Sequence, residues 1–300
     1  MRHVYECPLR WADLDLLGHV NNVTYVDYLQ EARVDLMRTM LPVAPEAGAD
    51  LTEGVVVVRH EVGYVHPLEF TTAPVRVECW VSQVRAATFT LSYEIVSDQS
   101  AAGGPARRVH LRATTLLTPF VFAAERPRRL APEERAALER FRDEPASDGP
   151  PPVRATPRIP VVDRAHATRF SLPVRFSDVD LYRHVNNVRY FEYFQEARIR
   201  MFSELFGGDG GPPLSVVVAQ TDVDYRAPIL LRPAPYDVWT QVARVGRRSL
   251  TLVSEIDDGQ ATLARARVTL VFWDGEQQAS TDPDPAVRSR LESRVSPRSC

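Results

Sequence analysis

Cysteine is scarce: Cys7, Cys79 and Cys300 stand far apart in 300 residues, with no Cys-x-x-Cys pair. That scarcity argues against a disulfide framework and a thiolate zinc site, and Cys7 and Cys79 read as small strand residues. An excess of charge of one sign is missing too. Thirty-six Lys+Arg against thirty-nine Asp+Glu leave a formal net charge of -3, without the broad basic surface on which nucleic-acid binding rests. Nor is there a long apolar run: the opening MRHVYECP has no signal-peptide core, and nothing approaches the length of a membrane span. A cytoplasmic protein that binds neither nucleic acid nor membrane is expected. With 44% hydrophobic and 25% charged residues the composition is that of an ordinary globular protein, and the length suits two domains, each able to bury a core.

What the sequence does have is a repeat. Residues 10–33, RWADLDLLGHVNNVTYVDYLQEAR, align without a gap on residues 175–198, RFSDVDLYRHVNNVRYFEYFQEAR, at an offset of 165, with fifteen of twenty-four positions identical. Farther on, 57–95 matches 218–256 at an offset of 161 with thirteen of thirty-nine identical, mostly apolar. The downstream likeness is what packing alone requires. The first segment shares Asp, His, Asn, Gln, Glu and Arg, which packing does not require, so chemistry is sought there.

The copies set the domain plan. A first module spans 1–142 and closes with a short helix, Pro132 to Arg142, which has proline in its first turn, early acids and late bases. A proline-rich linker follows over 143–165, a second module over 166–278, and a polar tail, 279–300, to which the pattern assigns no role. Within each module a short strand (roughly Tyr5 to Arg10, and Ala167 to Phe176) leads into an Asp-rich loop, and a helix begins near Asn22 or Asn187. Apolar residues at helical spacing, Val23, Val26, Leu29, Ala32 and Leu36 in the first and Val188, Phe191, Phe194, Ala197 and Met201 in the second, make a stripe that Tyr25, Tyr28, Tyr190 and Tyr193 widen. Alternation with period two over 75–81, 89–95, 236–242 and 250–252 then predicts antiparallel strands. The fold class is α+β, with each module an antiparallel sheet wrapped around one helix.

The motif Asp-x-Asp-x-x-x-His-Val-Asn-Asn-x-x-Tyr at the helix entry resembles the loop of hotdog-fold thioesterases, most closely the 4-hydroxybenzoyl-CoA thioesterase family and the plant acyl-ACP thioesterases. The resemblance covers both modules and leaves out linker and tail. It implies a tandem double hotdog in which the fused copies form, within one chain, the dimer that single-hotdog members form between chains, with sites at the interface of the copies. It further implies an acyl-CoA or acyl carrier protein substrate and a hydrolysis that needs no metal or redox cofactor, and it allows homo-oligomerisation of the double unit.

By the same resemblance Asp15 and Asp180 occupy the position of the catalytic carboxylate, as general base for water or as nucleophile. Asp15 lies about seven residues before the helix, too far for a simple N-cap. Asp13 and Asp178 read as structural acceptors of loop amides. The backbone amide at Asn22 and Asn187, at the positive end of the helix, is the implied oxyanion donor, while the side chains of Asn21 and Asn186 cap the helix or touch substrate. His19 and His184 orient water or the carboxylate, or satisfy loop carbonyls. The plant enzymes have asparagine two residues after the aspartate, whereas this chain has Leu17 and Tyr182, which disfavours a plant-type Asp-Asn-His set. Glu31 and Glu196, near Arg33 and Arg198, read as a solvated or ion-paired helix face. Arg247 and Arg248, at a predicted strand turn where the first copy has Ala86 and Ala87, are candidates for CoA phosphates. Gly18 opens space, whereas Tyr182 and Arg183 add bulk and charge, so two complete but unequal sites are expected. A non-catalytic acyl-thioester-binding protein and a hotdog enoyl-CoA hydratase stand as alternatives.

Overall fold

A computed structural model describes residues 1–16, 18–40, 52–98, 107–143, 157–207 and 214–296. The chain divides into two compact units, Met1–Ala155 and Thr156–Cys300.

The first unit begins with β1 (His3–Cys7), α1 (Thr24–Met40), β2 (Glu53–Tyr64), β3 (Val75–Val84), β4 (Phe89–Ser97) and β5 (Arg108–Val121). The short β6 (Arg126–Pro127) and α2 (Pro132–Arg140) complete it. Its strands run in the order β1-β3-β4-β5-β2, every neighbour antiparallel, with β6 paired to the end of β5. The second unit repeats the plan with β7 (Thr168–Leu172), α3 (Arg189–Phe206), β8 (Val216–Tyr225), β9 (Tyr236–Val245), β10 (Ser249–Asp257) and β11 (Thr262–Asp274). It ends in β12 (Ala279–Ser280) and α4 (Pro285–Glu292), and its sheet order is β8-β11-β10-β9-β7. Even the irregularities recur: register shifts fall between Val81 and Gln83 on β3, and between Val57 and Arg59 on β2. In the second unit the β9–β10 and β11–β8 pairings shift at Thr251/Leu252 and Thr269/Leu270.

Each long helix buries one face. Leu29, Ala32 and Leu36 of α1 are wholly buried, as are Val77, Leu91, Ile95 and Leu111 of the first sheet. In the second unit Met201 of α3 joins Val242, Leu250, Leu252, Leu270 and Phe272 in one core cluster. Burial of this apolar face, rather than helix propensity, is what stabilises such helices.

Three expectations differ from what is seen. The first strand of each unit stops at Cys7 and Leu172 rather than at Arg10 and Phe176, because Pro8 and Pro173 have no N–H for the ladder; 3₁₀ turns, Trp11–Asp13 and Phe176–Asp178, follow instead. The tail is not merely polar. Asp284 accepts amide hydrogen bonds from Ala286 (2.7 Å) and Val287 (3.4 Å) with Pro285 in the first turn, so α4 forms by N-capping and buries Val287 and Leu291 in the second core. It is the counterpart of α2, which buries Ala137 and Leu138. Of the linker, residues 144–156 lie outside the described residues, and Ile159 and Val162 bury against Val253.

Candidate active site

Both Asp-rich loops are built from the same bonds. The 3₁₀ turn buries Asp13, whose carboxylate accepts from the Arg10 amide (2.8 Å), the Arg10 Nε–H (3.0 Å) and the Tyr28 hydroxyl (2.6 Å). In the second unit Asp178 is buried likewise, accepting from the Arg175 amide (2.8 Å) and the Tyr193 hydroxyl (2.7 Å). The Asp13 and Asp178 carbonyls then accept the amides of Asn21 and Asn186, each at 2.8 Å. Burial pushes the Asp13 carboxyl up, but the hydrogen bonds from Tyr28 and Arg10 and the Arg10 charge outweigh it and hold the group below the usual range. This ionised anchor ties the start of the loop to the helix.

Between the anchors the chain makes a tight turn that returns the histidine to the aspartate. Asp15 donates its amide to the His19 carbonyl (2.8 Å), and the His19 amide reaches Asp15 Oδ1 (3.4 Å). Asp180 does the same with the His184 carbonyl (2.9 Å), while its Oδ1 accepts the Tyr182 amide (2.9 Å). The proposed catalytic carboxylates thus stand beside His19 and His184. Burial raises the Asp180 carboxyl above the ordinary value of 3.8, opposed by the Tyr182 amide and by the neighbouring His184. Leu17 lies outside the described residues.

At the helix entry the Asn21 and Asn186 side-chain carbonyls accept the amides of Val23 (3.2 Å) and Val188 (3.3 Å). Each side chain thus gives a backbone amide at the helix entry its acceptor. The peptide that follows is held from the sheet: the Tyr64 hydroxyl donates to the Asn22 carbonyl, and the Tyr225 hydroxyl to the Asn187 carbonyl, both at 2.7 Å. The Asn22 N–H has no protein acceptor among the described residues. A second pair of tyrosines fixes the opposite wall, since the Tyr25 hydroxyl accepts the Leu68 amide (3.0 Å) and the Tyr190 hydroxyl the Ile229 amide (3.1 Å). The carbonyls of Leu68 and Ile229 in turn accept Val20 and Val185, both at 2.8 Å. Tyr25, Tyr28, Tyr190 and Tyr193, read from spacing as widening an apolar stripe, are the groups that hold the loops. The signal was that all four are tyrosine, not phenylalanine, at matched repeat positions.

Two other readings fare differently. Glu31 and Glu196 are exposed, as a solvated face requires, while Arg33 and Arg198 are buried; residues two apart on a helix point in different directions. Arg247 and Arg248 lie at the β9–β10 turn beside Asp282, at 3.5 and 3.0 Å. Leu172, which leads into the second loop, pairs with Tyr236 at the other end of β9, roughly 30 Å away at 3.3 Å per residue, so the structure does not bring these arginines to that loop. The units also differ behind the loops. A cavity of about 290 Å³ in the first unit is lined by residues that include Leu68, Glu69, Arg76 and His110. In the second unit Tyr236 replaces Val75, bonds the Leu230 carbonyl at 2.9 Å and carries the Arg232 guanidinium 3.7 Å over its ring. Among the described residues no group of three or more His, Cys, Asp or Glu side chains is placed to hold a metal.

These loops lie within two stretches, residues 9–141 and 174–291, that match the family model of the Thioesterase-like superfamily. The chain is 28% identical over 128 residues to the long-chain acyl-CoA thioesterase FadM of Escherichia coli, covering 41% of this chain and 96% of FadM. It is 37% identical over 82 residues to the uncharacterized protein YsmA of Bacillus subtilis, a match that spans 26% of this chain and only about half, 53%, of YsmA. The 12:0-ACP thioesterase of Umbellularia californica superposes with a TM-score of 0.70 over 90% of this chain and 93% of its own, at 16% identity, a likeness of fold. Two matched segments, two copies of one sheet-and-helix plan and a whole-chain structural likeness together make this chain a member of the Thioesterase-like superfamily, built of two tandem hotdog modules.

Proposed function

We propose that the chain is an acyl-CoA or acyl-ACP thioesterase in which Asp15 and Asp180 are the catalytic carboxylates and the amides of Asn22 and Asn187 the oxyanion donors. The carrying observation is the turn that sets each aspartate beside a histidine and ahead of a capped helix start, twice in one chain. The thioester carbonyl oxygen sits against the helix N-terminus, where the amide and the partial positive charge of the helix stabilise the developing oxyanion. The carboxylate takes a proton from water, the hydroxide equivalent adds to the carbonyl carbon, and collapse breaks the C–S bond to give acid and thiol. Direct attack by the carboxylate, through a mixed anhydride that water opens, uses the same groups. His19 and His184 orient the aspartate or the water. Tyr64 and Tyr225 bond the Asn22 and Asn187 carbonyls, in the peptide just after the donor N–H, and so anchor the backbone beside the oxyanion site. No described helix is long and apolar enough to cross a membrane, and the cytoplasm, where both kinds of thioester are made, is the setting this reading implies.

The test is release of free thiol from a series of acyl-CoAs, acetyl to palmitoyl with benzoyl added, by the whole chain. Thiol release on at least one member that is lost in an Asp15→Asn, Asp180→Asn double variant is expected. Saturable binding of the series with no thiol release above the uncatalysed rate would overturn the catalytic reading in favour of a binding protein.

A further inference from the structure

Position 18 of the first copy and position 183 of the second are the same place in the repeat, and both backbones turn through the left-handed region, Gly18 at φ +77 and Arg183 at φ +61. Glycine adopts that conformation freely, whereas a residue with a side chain is strained in it. Among the described residues the other non-glycine positions with positive φ are Glu125 (φ 48) and Gln278 (φ 50), which match each other in the turns after β5 and β11. Arg183 alone stands opposite a glycine. The turn therefore needs no arginine: Gly18 makes it with open space around a would-be Cβ.

What the arginine adds is a charge at the site. Its amide donates to the Asp180 carbonyl at 3.0 Å and His184 follows it directly, yet its side chain is exposed and makes no ion pair or hydrogen bond among the described residues. Arg175, at the start of the same loop, is also exposed and without an ion pair among the described residues, while its counterpart Arg10 is engaged by Asp13 at 2.8 Å. The first loop goes the other way, because Glu69, whose backbone pairs with that of His19 in an isolated β-bridge, puts an acid where the second copy has Leu230. Among the described residues the second loop thus carries two unpaired guanidiniums, Arg175 and Arg183, and the first loop carries none.

We propose that Arg183, supported by Arg175, is a specificity determinant of the second site that binds a phosphate of the thiol carrier's phosphopantetheine arm, so that the two sites differ in their demand for a phosphorylated carrier. This rests on reading the Asp180 loop as a thioesterase site. The chemistry suits the residue, since guanidinium pairs with phosphate through two parallel hydrogen bonds, and the chain contains no lysine to do it with a point charge.

The test is equilibrium titration of CoA, 4′-phosphopantetheine and pantetheine into the full chain, compared with Arg183→Gly and Arg183→Lys. Wild type is expected to show two classes of CoA site. Arg183→Gly, which takes the glycine already tolerated at position 18, should weaken the tighter class by about tenfold, with pantetheine binding weakened far less, and Arg183→Lys should recover part of the loss. A loss on phosphopantetheine as large as on CoA is expected, since the phosphate is shared with carrier proteins; a loss on CoA alone would overturn the proposal in favour of the nucleotide phosphates. Unchanged CoA affinity in Arg183→Gly, or an equal loss on pantetheine, would overturn the proposal. Binding is read without turnover, so an Asp15→Asn, Asp180→Asn variant that kept full thiol release would sink the catalytic reading while leaving this result standing.

Discussion

At the scale of single residues the loops depend on charges held in particular states. Asp13 is ionised at neutral pH and its carboxyl lies below the usual range, so it adds stability above the unfolded value near 3.8 and loses it as pH falls through the lower folded value. Tyr28→Phe removes the 2.6 Å bond to that carboxylate and should cost about 1.5–3 kcal/mol, the scale of a hydrogen bond to a charged group, as read by urea unfolding. At Asp180 burial prevails over the opposing bonds, and the carboxyl is raised. A base must be ionised, so activity from this site should disappear as pH falls through a value above 3.8. Measured in an Asp15→Asn background, where Asp180 alone acts, the acid limb of kcat/KM should lie above the ordinary aspartate range; a limb at or below it would contradict the assignment. Arg183 is the strained counterpart of Gly18, and Arg183→Gly should raise stability by about 1 kcal/mol, a gain visible as a higher Tm.

At the scale of elements, α4 is the instructive case. Leu291 is wholly buried in the second core, so Leu291→Ala should destabilise the protein by about 2–5 kcal/mol, the range for a buried leucine, and a change under 0.5 kcal/mol by denaturant unfolding would show that the helix does not dock. The sequence concealed this helix because its apolar contribution is two residues, Val287 and Leu291, among prolines and charges, too few for periodicity to register. Long periodic segments were legible for the opposite reason. The stripes on α1 and α3 and the alternation on β3, β4 and β9 each place several apolar residues on one face, and burial enforces that pattern. The loop aspartates were legible through the repeat, since packing gives no cause to duplicate them. The tyrosine hydroxyls were not, because a ring at helical spacing looks the same to a pattern whether its oxygen is idle or, as in Tyr25 and Tyr28, bonded to a loop. Arg247 and Arg248 were legible only as a basic pair at a turn, which says nothing about which end of the strand a substrate approaches.

At the scale of the whole chain we propose two complete sites that work in parallel and are unequal. Each has its own aspartate, histidine, capped helix and sheet tyrosine, and their surroundings differ in Gly18 against Arg183 and in Val75 against Tyr236. The most direct measurement is kcat/KM on one acyl-CoA for wild type, Asp15→Asn, Asp180→Asn and the double variant, with folding checked by circular dichroism. Each single variant should keep the share of the untouched site, the two shares should differ and sum to about the wild-type value, and the double variant should fall by on the order of 10² to 10⁴. A double variant that retains wild-type turnover would contradict the carboxylate assignment, and complete loss on either single change would contradict the claim of two independent sites.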